Sequence, residues 1–385
     1  MDFELSEEQS MLQETVRKIS LKEFRSRADE TDRSDKFPEE NVKLLSELGL
    51  MGLCLPTEYG GQGLSTFDFA LVLEQLAQGC VATAGVYLIH AGVSSRSIAF
   101  FGSDAVKKKY LPDLASGKKL AAFAMTEPGA GSAATDSGTR AKEDGSEFVL
   151  NGTKCFISNG AEADVFTTVV RLTDKPGAKG VGLLVVDRDS PGFTVGKIEQ
   201  KMGVHGFSSA ELIFEDCRVP RENLIVGAGE FGKIMQAFNG ERCGNSSVCL
   251  GIAQAALDYA VEHTKTRQQF GRDICEFQGV QWMLADMRIK IEAMRMLIYR
   301  AAHSGEPFPK PLYASMAKTY CNEVVNEVVS AALQLFGAYG YIKDYPIERL
   351  YRDARPWALA GGTTQMQRNT VAAEILGRRF SQRKS

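Results

Sequence analysis

Met125-Thr126-Glu127-Pro128-Gly129-Ala130-Gly131-Ser132 divides the chain. Before it the residues are patterned as helices. After it, for roughly a hundred residues, they are patterned as strands and turns. The loop follows Leu120-Ala121-Ala122-Phe123-Ala124, an apolar run that fits a buried strand. Pro128, Gly129 and Gly131 forbid regular structure and let backbone N–H groups come close to a ligand. Thr126 and Ser132 add hydroxyls at its two ends. Exposed amides beside hydroxyls suit a flavin ring or a phosphate. Composition alone allows an ordinary strand-to-strand turn equally well.

Working outward, the strand pattern covers 120–126, 147–158, 164–172, 180–187, 193–199 and 210–218, short runs bounded by Gly, Asp, Asn or Pro. They predict a compact antiparallel β-domain. Upstream, helical spacing covers 5–25, 38–50, 66–78, 82–101 and 104–116, with Pro38 where a helix can begin. Pro56-Thr57-Glu58-Tyr59-Gly60-Gly61-Gln62-Gly63 is a glycine-rich link, without the Lys-Ser/Thr of a phosphate loop. Helical patterning returns near Gly229 and persists. The expectation is an α+β chain with a helical domain at 1–118, a β-barrel or sandwich at 119–227 and a helical bundle at 228–385. The basic run 378–384 reads as a solvated helix end.

Composition excludes several classes. A net charge of −3 gives no basic field for nucleic acid. No apolar run is long enough to span a bilayer, and the acidic start Met1-Asp2-Phe3-Glu4-Leu5 is unlike a signal peptide. Eight scattered cysteines without a Cys-x-x-Cys pair point to a reducing cytoplasm. Four histidines at no ligand spacing argue against a metal site. No G-x-G-x-x-G follows a strand, which argues against a Rossmann nucleotide site.

Thr126-Glu127-Pro128-Gly129-Ala130-Gly131-Ser132 resembles the flavin-contact loop of the acyl-CoA dehydrogenase family. The likeness runs from Phe3-Glu4-Leu5-Ser6-Glu7-Glu8-Gln9 through Arg267-Gln268-Gln269-Phe270-Gly271 and Gln334-Leu335-Phe336-Gly337 to Gln365-Met366-Gln367-Arg368. It implies FAD. Phe123, Met125, Thr126, Gly131 and Ser132 would line one side of the isoalloxazine, with Ser132 also close to the thioester. Phe156 and Ser158 would supply an aromatic face and a hydroxyl, where relatives often have Trp and Thr. Arg267, Phe270 and Gln278 match residues that reach across a subunit interface to the FAD diphosphate and adenine. Gln334, Gly337, Thr363 and Gln365 match the remaining dinucleotide contacts. A shared cofactor implies an oligomer, in this family commonly a homotetramer. The resemblance also implies an acyl-CoA substrate and reoxidation by electron-transferring flavoprotein.

One departure stands out. Many relatives carry a catalytic Glu in a Tyr-Glu-Gly-Thr motif; the matching residues here are Ala360-Gly361-Gly362-Thr363. Relatives such as the isovaleryl- and long-chain acyl-CoA dehydrogenases place the base on an earlier helix, before an Arg. The match is Asn239-Gly240-Glu241-Arg242. Met235, Phe238, Val248, Ile252, Ala256 and Tyr259 mark one apolar helix face, and Glu241 falls on it. A carboxylate there is costly unless it has a partner or a role. Glu241 is therefore expected to be the base. A Glu241–Arg242 ion pair is the rival, weakened because adjacent helical residues do not face each other. Asn239, Arg242, Gly361 and Gly362 are expected around the substrate. Gly361 keeps a main-chain N–H for the thioester carbonyl, and its missing side chain suggests a widened pocket for a bulky acyl group. The rival functions are action on a carrier-protein-bound acyl group, flavin-dependent elimination, and an inactive relative.

Overall fold

The computed structural model describes residues 4–380. Phe3 and the 381–384 part of the basic run lie outside the described residues. The chain opens with helices α1 (Glu7–Ile19), α2 (Arg25–Ser34), α3 (Glu39–Glu47), α4 (Thr66–Gly79), α5 (Val81–Tyr87), α6 (Ser95–Phe101) and α7 (Asp104–Ala115). Ser6 and Ser65 start α1 and α4 with capping boxes, each hydroxyl accepting from the third helical N–H.

Two stretches expected as single helices are each broken by a π-helical turn, at Ser20–Phe24 and Leu88–Ser94. Such bulges re-aim side chains for a purpose that periodicity does not reveal. Ser20 Oγ donates to the Gln75 carbonyl at 2.6 Å, where α4 crosses closely. In the second turn, Ser94 Oγ donates to the Ala122 carbonyl at 2.7 Å. His90 Nε2 donates to the Leu114 carbonyl, and its Nδ1 accepts from the Ala121 N–H, both at 3.1 Å. The helices thus grip the strand that leads into the glycine loop.

That strand is β1 (Ala121–Ala124). It is followed by β2 (Arg140–Asp144), β3 (Glu147–Ser158), β4 (Val165–Arg171), β5 (Val181–Asp187), β6 (Phe193–Ile198), β7 (Ser209–Pro220) and β8 (Leu224–Val226). The sheet order is β6-β7-β3-β2-β4-β5-β8, with β1 beside β4. The sheet is mainly but not wholly antiparallel: β1 and β2 each run parallel to β4. β2 and β8 escaped the sequence reading. β2 is Arg-Ala-Lys-Glu-Asp with only Ala141 buried, and β8 has three residues, so neither shows a strand period.

Both faces of the sheet's middle are covered. Ala121, Phe123, Val165, Val169, Leu183 and Val185 pack toward the helices, while Ala122, Ala124, Phe166, Val170, Leu184 and Val186 form the domain's own core. Two-sided burial explains why these strands show no alternation of apolar and exposed polar residues.

The final block comprises α8 (Phe231–Thr266), a two-stranded ribbon at Gln268–Gln269 and Arg272–Asp273, α9 (Gln278–Ala302), α10 (Pro311–Phe336), α11 (Ile347–Ala354) and α12 (Thr364–Ile375). Its core is continuous with that of α4 and α5. The single apolar face expected on α8 is not what the helix shows. Every residue from Asn239 to Ala253 is buried. Glycines make this possible. A Cβ on Gly244 would lie 2.7–2.8 Å from Leu88, Leu73 and Phe69, and one on Gly251 would lie 2.3 Å from the Glu74 carbonyl. Among the described residues, no helix is long and apolar enough to cross a membrane, and no three His, Cys, Asp or Glu side chains group to hold a metal.

The buried His90 carries a pH prediction. Burial lowers its pKa from 6.5 to about 4, against its bond to Leu114. Below pH 6.5 the unfolded chain takes up a proton that the folded chain refuses until about pH 4. His90 therefore contributes stability that is complete above pH 6.5 and lost as the pH falls, about 3 kcal/mol in all. Asp353 acts oppositely, because burial raises its pKa to about 6. The difference between wild type and His90→Gln isolates the imidazole, since the amide can keep both hydrogen bonds but cannot titrate. Melting curves should show wild type losing more than the variant between pH 6.5 and 4. Parallel losses would contradict this account.

Candidate active site

The glycine loop is held from behind by a buried ion pair. Lys154 on β3, with no exposed side-chain surface, donates to Glu127 Oε1 at 2.6 Å and to the Met125 carbonyl at 3.1 Å. Ser137 Oγ, the Gly138 N–H and the Thr139 N–H also donate to this carboxylate. Burial opposes ionisation of Glu127, but the Lys154 ammonium and these donors outweigh it and hold the carboxyl at about 2. Burial pulls Lys154 down, against the same partner. Sequence reading missed this brace, because its members are far apart in the chain. Its effect is to turn the loop outward. Nothing lies within 4 Å of a Cβ built on Gly129 or Gly131.

Phe156 is 64% exposed with φ +57°, in a β3–β7 register shift between Lys154 and Ile157. A bulged residue is pushed off the pleat, and a left-handed aromatic is strained. Phe156 is therefore not part of the core. Phe123 differs. It is 8% exposed and meets Phe238 edge-on, with centroids 5.0 Å apart, so it joins β1 to α8. Met125, Thr126 and Ser158 are half-buried and Ser132 is exposed. Thr126 accepts the Cys155 N–H through its carbonyl, which leaves its hydroxyl available.

A second group gathers at one end of the C-terminal helices. Arg267 ends α8, Phe270 stands 93% exposed at φ +54°, and Gln278 begins α9. Gln334 is exposed at the end of α10, followed by Gly337 at φ +59°. The Arg267 guanidinium lies 5.4 Å from the Tyr339 ring centroid. Among the described residues, this group shares no hydrogen bond, ion pair or ring contact with the glycine loop. Thr363 accepts the Met366 N–H and caps α12, and Gln365 is exposed beside it.

The third group centres on Glu241, which is 3% exposed. Its carboxylate lies over Gly361. A Cβ on Gly361 would meet Oε2 at 2.5 Å, Oε1 at 2.7 Å and Cδ at 2.9 Å, and Gly361 has φ +63°. The expected widened pocket is therefore corrected: the room left by the absent side chain is filled by Glu241. Arg242 does not pair with Glu241. Its Nη1 donates to Asn239 Oδ1 at 2.9 Å, so two expected substrate residues hold each other. Glu241 Oε1 accepts from Asn245 Nδ2 at 3.2 Å, while Oε2 has no partner. Gln367 secures the loop by donating to the Gly362 carbonyl at 2.9 Å and accepting from Ser315. Gln367 lies inside a motif that carried the family resemblance, yet its role became visible only in the fold.

These residues fit FAD. The open glycine loop, the outward Phe156, the hydroxyls of Thr126 and Ser158 and the exposed Arg267 supply an aromatic face, donors and a cation. The unpartnered buried oxygen of Glu241 lies beside the backbone turn at Gly361. Such a set defines a flavin oxidoreductase. Family models agree along the chain: the acyl-CoA dehydrogenase N-terminal domain matches residues 6–118, the middle domain 122–217 and the C-terminal domain 231–376. The chain belongs to the acyl-CoA dehydrogenase family, FAD-dependent oxidoreductases. It is 42% identical to an acryloyl-CoA reductase (NADH) of Anaerotignum propionicum, covering 98% of this chain and 97% of that protein. It is 41% identical to a 3-sulfinopropanoyl-CoA desulfinase of Paraburkholderia xenovorans, covering 100% of each. The solved butyryl-CoA dehydrogenase of Megasphaera elsdenii is 36% identical with a TM-score of 0.94, over 98% of this chain and 100% of that one.

Proposed function

We propose that the protein dehydrogenates an acyl-CoA to a trans-2-enoyl-CoA, with Glu241 as the base. The observation that carries this reading is the Glu241 carboxylate over Gly361, buried, with Oε2 unpartnered. A thioester carbonyl bonded to the Gly361 N–H would place its α-carbon beside that oxygen. The N–H stabilises negative charge developing on the carbonyl oxygen as the proton leaves, which acidifies the α-carbon. Glu241 holds the proton, and FAD, when bound, accepts the β-hydrogen as hydride. The closed packing around α8 excludes water from the carboxylate. Phe156 and the hydroxyls of Thr126 and Ser158 would hold the flavin ring, with Ser132 at the loop's open end. A screen of straight, branched, aromatic and dicarboxylic CoA esters for bleaching of the yellow protein tests this reading and ranks the acyl groups. No bleaching with any ester would overturn it.

Elimination is the second reading, favoured by the desulfinase named among the relatives. It predicts release of a leaving group without net flavin reduction. For the electron acceptor we propose electron-transferring flavoprotein, and for location the cytoplasm, in keeping with eight unpaired cysteines.

We further propose a homotetramer that shares FAD between subunits. Support comes from the absence, among the described residues, of any hydrogen bond, ion pair or ring contact between Arg267 or Phe270 and the glycine loop, and from exposed Trp282 and Ile289 on α9. Arg267→Ala removes a charge-assisted partner of the diphosphate. That variant should purify with little FAD, while sedimenting as an oligomer like wild type. Full flavin content in the variant, or an FAD-loaded wild-type monomer, would refute the arrangement.

A further inference from the structure

Behind Glu241 lies a buried polar chain that family resemblance did not single out. Asn245, one helical turn on, donates to Glu241 Oε1. Asn245 Oδ1 accepts from Asn322 Nδ2 on α10 at 2.6 Å, and the same Asn322 nitrogen donates to the Trp357 carbonyl. Lys318 Nζ, one turn before Asn322, donates to that carbonyl at 3.1 Å. Asn245, Asn322 and Lys318 have no exposed surface.

The polarity of this chain is determined. A backbone carbonyl can only accept, so Asn322 must turn its nitrogen to Trp357. The second hydrogen of that nitrogen then goes to Asn245 Oδ1, which leaves Asn245 to offer its own N–H to Glu241. Flipping either amide would set oxygen against oxygen. Lys318 supplies a cation. Burial lowers its pKa to about 8, and the Glu241 carboxylate acts against that shift. Other charged or titratable groups near Glu241 are Arg242 and Cys249 on α8. Arg96 on α6 stands against neighbouring Gly240.

We infer that Asn245, locked by Asn322 and the Trp357 carbonyl, is the positioning residue of the base and leaves Oε2 as the proton-accepting oxygen. This rests on the reading of Glu241 as base. The same carbonyl leads into the segment 358–362, so one anchor on α10 sets both the carboxylate and the Gly361 N–H. Asn245 uses its oxygen on Asn322 and an N–H on Glu241, which gives the carboxylate one orientation, while Asn322 Oδ1 is left without a partner. Without it, the carboxylate can turn about its last torsion, and misplacement of this size lowers rates by up to about 100-fold.

The test is stopped-flow reduction of bound FAD by the best-bleaching acyl-CoA, with hydrogen or deuterium at the α-carbon. Asn245→Leu should lower the rate constant on the order of 10- to 100-fold and raise the α-deuterium isotope effect. FAD content and enoyl-CoA affinity should stay as in wild type, and the variant should still melt cooperatively. Asn245→Ser keeps a hydroxyl donor and should recover part of the rate. If Leu impairs folding, Asn245→Ala, which needs no extra room, takes its place in the comparison with Ser. A wild-type rate and isotope effect in a folded, donor-less variant would overturn the inference. So would a rate loss no larger than the loss of FAD. Glu241→Gln, measured alongside, separates the two ideas. If it reduces flavin normally, the base assignment fails. If it is inactive while Asn245→Leu is normal, only the positioning role fails.

Discussion

Glu241→Gln lowers the rate of flavin bleaching by an acyl-CoA on the order of 10²–10⁴-fold, the usual loss on removing a positioned base. FAD content and enoyl-CoA binding remain, because the amide keeps the shape of the carboxyl and the loop contacts are untouched. Restoring a carboxylate at position 361 is not a simple repair. A Cβ there would lie 2.5–2.9 Å from the residue-241 carboxyl group, so Gly361→Glu in the Glu241→Gln background should stay inactive. Clearing the space with Glu241→Gly before adding Gly361→Glu should recover measurable bleaching, despite the φ of +63°. The two positions are thus alternatives for one carboxylate. Bleaching of Glu241→Gln at the wild-type rate would sink the assignment, and elimination without net oxidation would become the better account.

The second large effect is expected at the brace behind the glycine loop. Removing one partner of a buried ion pair leaves an uncompensated charge, at a cost of about 3–5 kcal/mol. Glu127→Leu strands the Lys154 ammonium, whose side chain has no exposed surface, with only the Met125 carbonyl and Ser137 nearby. It also frees the Gly138 and Thr139 N–H groups. The variant should melt well below wild type and lose FAD on gel filtration, because the loop is no longer held open. Glu127→Leu combined with Lys154→Met should regain most of the melting temperature, since a matched apolar pair often replaces a buried ion pair without penalty. Flavin retention should recover less, as the donors at 137–139 remain unanswered. A single variant as stable and as yellow as wild type would show that the pair does not organise the loop.

The order of helices, sheet and helices was legible in the sequence because both periods are local. Short runs rich in Val, Phe and Thr, such as 165–170 and 181–186, marked strands, and the structure shows both of their faces covered. The glycine loop was legible because Pro and Gly restrict the backbone wherever they stand. The π-turns at Ser20–Phe24 and Leu88–Ser94 were not, since Ser20 and Ser94 serve carbonyls 55 and 28 residues away. Glu241 was legible as a carboxylate in an apolar stretch, but for an incomplete reason. From Asn239 to Ala253 the helix is buried on all sides, and no single face singles the residue out.

What the sequence by itself determined is the inventory: a glycine-rich loop after a buried strand, Arg267 and Phe270 in a second cluster, a carboxylate at position 241 and none at position 361. What only the tertiary structure decided is how that inventory is joined. Glu241 and Gly361 are 120 residues apart, yet one side chain occupies the space the other lacks. Phe156 is expelled by a bulge that depends on β7, and Lys154 and Glu127 meet although 27 residues apart. Asn245 acquires its polarity from a carbonyl on a segment far along the chain. Such contacts depend on close packing of distant segments, and local patterns of hydrophobicity carry no record of which polar group will meet which.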